Sequence, residues 1–153
     1  MRITEYLDQK KVNYQISSHR PSFTSQKLAA EEHVSGQYIA KPVIVQADGK
    51  FYMCVLPACS KVDLDALRSQ LGAGEVELAD EEEMAQLFPD CELGAEPPVG
   101  SMFGLATLLD KSLLQDDFIV FQAGKHDQAV KLNLRDYEEM VHPRILSFSY
   151  HLH

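Results

Sequence analysis

Lys41 is placed awkwardly for a purely structural role. It stands in Ile39-Ala-Lys-Pro-Val-Ile-Val45, at the start of an apolar run that reads as a strand. A lysine there is costly unless its amine reaches water or an anion. It either snorkels past a strand end or holds a phosphate or carboxylate in a cleft. The second chemically suggestive stretch is Gly94-Ala-Glu-Pro-Pro-Val-Gly-Ser-Met-Phe-Gly104, with three of the eight glycines and two of the seven prolines. Glycine permits positive φ and close backbone approach, while proline fixes φ and removes a donor. Together they make a stiff loop whose remaining N–H groups can point at a ligand. The loop is a ligand wall or a long surface connection, and long loops in compact domains are commonly functional. Ser101 within it is a nucleophile in principle, but no base lies beside it in sequence. There is no Gly-x-Ser-x-Gly elbow either.

The other reactive residue types read more plainly. His126 lies in the turn Gly124-Lys-His-Asp127, and His19 shortly before Pro21. Each is a cleft residue or an ordinary loop residue. His142, His151 and His153 lie at or beyond the last helix and are given no role. The acids Asp80 to Glu83 suit the positive end of a helix dipole better than a metal. Cys54, Cys59 and Cys91 are odd in number and form no Cys-x-x-Cys pair, so no zinc site is expected. Cys54 and Cys59 read as structural, and free thiols fit a reducing compartment.

These residues must be positioned by a chain of 153 residues, which predicts one domain spanning 1–153. Ile3 to Lys11 reads as a helix and Tyr14 to Ser18 as a strand. Thr24 or Ser25 caps a second helix, about Gln26 to His33. Asp48-Gly49 predicts a hairpin between strands ending at Val45 and running from Lys50 to Leu56. Asp63 to Leu71 is a helix stopped by Gly72, Glu75 to Leu78 a strand, and Asp80 to about Leu87 a helix. Leu105 to Leu109 reads as a buried strand, with about one helical turn from Asp110 to Gln115. Phe118 to Gln122 and Ala129 to Asn133 pair as strands. A helix follows from Leu134 to His142, then one last strand from Arg144 to Tyr150. Hairpins and short helices predict an α+β fold with a mixed, largely antiparallel sheet flanked by helices.

The formal charge of −9 gives no general attraction for polyphosphate. It argues against a DNA binder or a general RNA binder, but not against an enzyme that touches only the end of an RNA. No signal-like apolar region follows Met1, and no apolar run approaches ~20 residues. A soluble, cytoplasmic protein with no membrane partner is expected.

Three stretches carry a resemblance: Ile39-Ala-Lys-Pro-Val-Ile-Val45, the Gly94-x-x-x-Pro98-x-Gly100 loop, and Val120-Phe-Gln-Ala-Gly124. Their order and spacing, with Thr24, Val55-Leu-Pro57 and Asp63-Leu-Asp65, resemble the YbaK / prolyl-tRNA synthetase-associated family of aminoacyl-tRNA editing domains over about residues 12 to 148. The resemblance implies a hydrolase, independent of metal and cofactor, that cleaves the ester joining a wrong amino acid to the 3′ end of a tRNA, prolyl-tRNA or a related one. It implies that Lys41 anchors the terminal adenosine or its phosphate. It places backbone amides of the loop near the scissile carbonyl, which makes Gly94 and Gly100 catalytic candidates beside Lys41. Catalysis then leans on a bound water and the ribose hydroxyl, and positioning with oriented amides suffices for an activated ester. Thr24, Pro98, Ser101 and His126 become candidate substrate contacts.

Two departures from the family pattern bear on specificity. Pro42 removes a donor next to the lysine, and Glu96-Pro97 replaces smaller residues in the loop. Glu96 either meets the substrate amino group or faces solvent. With no synthetase body around the domain, a free-standing trans-editing deacylase is expected, with an aminoacyl-tRNA synthetase as a possible partner. The alternatives are a non-catalytic module that binds aminoacyl-tRNA or a synthetase, and a different small-molecule hydrolase using Ser101.

Overall fold

The computed structural model describes residues 1–151; His153 lies outside them. Helix α1 (Ile3–Gln9) buries Ile3 and Leu7. Strand β1 (Tyr14–Ser18) follows, then α2 (Ser25–Glu31), whose N-terminus is capped by Thr24 accepting from the Lys27 N–H at 3.1 Å. A 3-10 turn at Gly36–Tyr38 leads into β2 (Ala40–Ala47) and β3 (Lys50–Pro57). Both turn residues between them have positive φ, +49° at Asp48 and +85° at Gly49, as the predicted tight hairpin requires. The Asp48 carboxylate also accepts from the Gly74 and Glu75 amides, both at 2.9 Å, which docks β5 against the hairpin end.

The chain continues through β4 (Ser60–Val62), α3 (Leu64–Leu71), β5 (Val76–Leu78) and α4 (Glu81–Leu87). Asp63 caps α3, and Gly72 ends it in the left-handed conformation. Asp80 and Glu83 form a reciprocal capping box on α4, which accounts for the acid run. Then come β6 (Ala106–Asp110), β7 (Phe118–Gln122), β8 (Gln128–Asn133), α5 (Leu134–Val141), β9 (Arg144–Leu146) and β10 (Ser149–His151).

Five strands form a mixed sheet in the order β5-β2-β3-β6-β9, with β3–β6 and β6–β9 parallel. Three form an antiparallel sheet, β1-β8-β7, and β4 pairs with β10. The architecture is α+β, as expected. The main core holds Ile44, Met53, Val55, Leu109, Phe121 and Tyr137. A second cluster under α3 contains Val45, Cys54, Leu56 and Leu67. A third, under α2, contains Leu28, Ile39, Ala58 and Val120.

The last predicted strand is two strands. It breaks at Phe148, whose N–H donates to Asp110 at 2.8 Å while Ser149 Oγ donates to the same carboxylate at 2.7 Å. A buried aspartate 38 residues upstream sets that break, so no local signal announces it. The short β4 was not expected; its partner β10 lies at the other end of the chain.

Candidate active site

The site is set by one contact between two sheets. Ile39 and Val120 form a parallel bridge, and both pack into the cluster under α2. Side chains alternate along extended backbone. Two residues further on, Lys41 and Gln122 therefore fall on that same face, level with one another. Lys41 Nζ donates to the Ala58 carbonyl at 3.4 Å. Burial lowers its pKa from the ordinary lysine value; nearby Cys59 opposes the shift and Lys61 adds to it. A desolvated ammonium with one neutral acceptor gains from an arriving anion.

Gln122 is only 7% exposed. Its Nε2 donates to the Ser22 carbonyl at 3.0 Å, and its Oε1 is buried with no partner. The Ser22 N–H in turn donates to the His126 carbonyl at 2.7 Å. His126 sits between two loops: Nδ1 is 3.0 Å from the Ser22 carbonyl and Nε2 is 2.8 Å from the Leu93 carbonyl. Its main-chain N–H donates to Glu92 at 2.7 Å. His126 is therefore buried and clamped, not a solvated turn residue. His19 Nε2, near Ser22, is also buried and unpartnered.

The glycine-proline loop is not the exposed wall the sequence suggested, since residues 95–100 are all buried. It divides into two halves with different neighbours. The first is strapped to the His126 turn: Glu92 N–H donates to Gly124 at 2.9 Å and Gly124 N–H to Ala95 at 2.8 Å. Gly94, at φ +87°, lies so close that a Cβ built there would be 3.6 Å from His126 Cε1. The second half is tied to the scaffold. The Tyr137 hydroxyl donates to the Pro98 carbonyl, Gly100 N–H donates to Thr107 Oγ1 at 2.9 Å, and Ser101 Oγ is 2.9 Å from the Tyr6 hydroxyl. Thus His126 and Gln122 meet the Ser22 carbonyl just before the α2 cap Thr24, with Gly94 against His126, and Lys41 relates to this group through its register with Gln122. Pro98, Gly100 and Ser101 do not join them.

A backbone accounting of the loop is informative. Gly94 N–H is taken by Glu96 Oε1 at 2.9 Å, Ala95 N–H by Glu92, Val99 N–H by Pro97 and Gly100 N–H by Thr107. Prolines 97 and 98 have none. Between Gly94 and Gly100 the Glu96 N–H is the remaining amide, with no acceptor among the described residues. Glu96 itself is 3% exposed and does not face solvent. Its carboxylate helps raise the Cys91 thiol to about 11, after burial as the larger cause, so Cys91 is a poor nucleophile near neutrality.

A cavity of about 690 Å³ lies against the other side of the loop, lined by Ile3, Leu87, Pro97, Met102, Phe103 and Gly124 among others. Lys41, Gln122 and His126 do not line it, so this cavity and the chemistry-bearing groups are separate. Among the described residues, no cluster of three or more His, Cys, Asp or Glu is arranged to hold a metal, and no helix is long and apolar enough to cross a membrane. Sequence reasoning missed Ser22, Phe23 and Gln122. The available signal was Gln122 itself, a polar residue in pleat register with inward Val120.

Residues 19–140 match the model of the aminoacyl-tRNA editing domain, and the chain belongs to that family. It is 25% identical over 141 residues to the prolyl-tRNA editing protein ProX of Acetoanaerobium sticklandii, covering 88% of this chain and 85% of that protein. Among solved structures, hypothetical protein APE2540 superposes with a TM-score of 0.88 at 21% identity, over 97% of this chain and 99% of that one. A structure described as "a putative trans-editing enzyme for prolyl tRNA synthetase" gives 0.85 at 17% identity, over 97% and 94%. At these identities the two structures speak for the fold.

Proposed function

We propose that the protein hydrolyses the ester of mischarged aminoacyl-tRNA, without a metal, as a trans-editing enzyme of the cytoplasm. The observation that carries this reading is the Ile39–Val120 bridge, which sets Lys41 in register with Gln122, whose amide meets the Ser22 carbonyl that His126 also reaches. In this reading the Lys41 ammonium, partly desolvated and short of partners, holds the phosphate or ribose of the terminal nucleotide. Water attacks the acyl carbonyl, and the Glu96 N–H receives the developing oxyanion. Collapse of the tetrahedral intermediate breaks the ester bond. The leaving ribose oxygen takes a proton, releasing the free amino acid and the uncharged tRNA. Thr24 keeps its hydroxyl proton for the substrate after capping α2. Pro98, Gly100 and Ser101 hold the loop's shape from behind.

The likeness to ProX favours prolyl-tRNA as the carrier and a prolyl-tRNA synthetase as the enzyme whose errors are corrected. One observation favours a second reading, a module that binds aminoacyl-tRNA without cleaving it: Gly94 and Gly100 both have their amides engaged, which leaves one free donor between them. A panel of mischarged tRNAs separates the two. The enzyme releases amino acid from at least one member, whereas the module shows saturable binding and no release.

A further inference from the structure

Phe23 is 67% exposed, although its ring lies against buried His126 with centroids 4.7 Å apart. On the other side of the same imidazole stands Leu93, 48% exposed, whose carbonyl meets Nε2. Two large apolar side chains thus reach solvent here, Phe23 with its ring against the histidine and Leu93 on a segment whose carbonyl the histidine meets. The chain carries a net charge of −9, so attraction to phosphodiesters cannot supply general affinity for an RNA end. Affinity beyond the single Lys41 contact must come from uncharged contacts. Unpaired RNA ends are recognised by bases stacking on aromatic side chains. The second, independent observation is Gln122 Oε1, a buried acceptor without a partner, on a side chain that donates to the residue before Phe23.

Building on the deacylase reading, we propose that Phe23 is the platform on which the 3′-terminal adenine of the substrate stacks, and that Gln122 Oε1 accepts the free hydroxyl of its ribose. The base then lies outside the loop and the ribose inside, with the ester turned toward Glu96. Phe23 makes a binding contact and takes no part in bond breaking.

The test is titration calorimetry of the whole chain with the ribotrinucleotide cytidylyl-cytidylyl-adenosine, which carries no ester. Phe23→Ala should weaken binding roughly tenfold or more, the loss expected for one stacked base, and Phe23→Tyr should restore it. A trinucleotide whose last base is removed should bind wild type as weakly as Phe23→Ala binds the full ligand, with no further loss in the variant. Deleting the terminal hydroxyls should weaken binding to wild type but not to Gln122→Met. Equal affinity of wild type and Phe23→Ala would overturn the proposal, as would an equal loss for the ligand without its base, or no binding by wild type. Phe23 is exposed, so its variants fold, which circular dichroism checks. Deacylation by a Phe23→Ala protein of unchanged trinucleotide affinity would overturn the platform and leave the enzyme standing. Phe23-dependent binding without any deacylation would do the reverse.

Discussion

Ile39 pairs with Val120 across two sheets, and this single bridge sets Lys41 level with Gln122. Neither strand pairs with the other beyond it. A desolvated lysine and a buried glutamine with an unpartnered oxygen share one face because two strands from different sheets touch once.

The two halves of the loop should respond differently to added methyl groups. A Cβ at Gly100 would lie 2.5 Å from Thr107 Oγ1 and 2.6 Å from the Leu105 carbonyl. Gly100→Ala should therefore cost about 1–3 kcal/mol as overpacking. Its activity per folded molecule should stay near wild type, because the residue shapes the scaffold. Gly94→Ala would keep φ +87°, a cost of roughly 1–2 kcal/mol, and would set its methyl in van der Waals contact with His126 Cε1, 3.6 Å away. It should lose activity as well as stability. Thermal unfolding and turnover measured on the same preparations distinguish the two patterns.

Glu96 offers a way to test a backbone donor. Glu96→Gln keeps an oxygen for the Gly94 amide and keeps its own N–H, so turnover should stay within a few-fold. Glu96→Pro deletes that N–H and should lower kcat by roughly 10²–10³, the usual loss for one oxyanion donor. Equal turnover in the two variants would remove the amide from the reaction.

Much of the fold was legible. The Asp48-Gly49 turn, the Thr24, Asp63 and Asp80 caps and the Gly72 stop are local signals, and each element they predict is present. The site was legible only in part. Lys41, Gly94, Thr24 and His126 come from stretches that resemble a family; the structure sets Gly94 against His126 and Thr24 at the cap of α2. Gly100 and Ser101 lie in the same stretch, but Thr107 and Tyr6 hold them elsewhere. A sequence does not show which of its neighbours will claim an amide. Gln122 was hidden for a related reason: its burial depends on Ser22, a hundred residues away.

Asp116 should give the protein a pH-dependent weakness. Burial raises its carboxyl to about 6, the Gln37 hydrogen bond opposes this, and Asp117 adds to it. One carboxylate oxygen has no partner. A raised folded value means that the native state holds its proton more tightly than the unfolded chain does. Stability therefore falls as pH rises from about 4 to 6, and the full cost remains above that. Asp116→Asn should gain on the order of 1 kcal/mol at pH 8 and little at pH 4, read by denaturant unfolding at both values.

Lys41 should show the opposite trend. Its lowered pKa means that the native state binds the proton less well, so stability rises as pH climbs through the folded value. Lys41→Met should stabilise the protein by roughly 0.5–2 kcal/mol at pH 7, with the gain shrinking toward alkaline pH. The same variant should not deacylate. A more stable and inactive protein would mark the lysine as kept for chemistry.

The most direct measurement is single-turnover release of amino acid from mischarged tRNAs, with prolyl-tRNA carrying a wrong amino acid first, comparing wild type with Lys41→Ala. The account predicts release by wild type from at least one such tRNA and a loss of at least about a hundredfold in the variant, consistent with removal of a positioning group. No release from any tRNA, or equal rates for the two proteins, would contradict it.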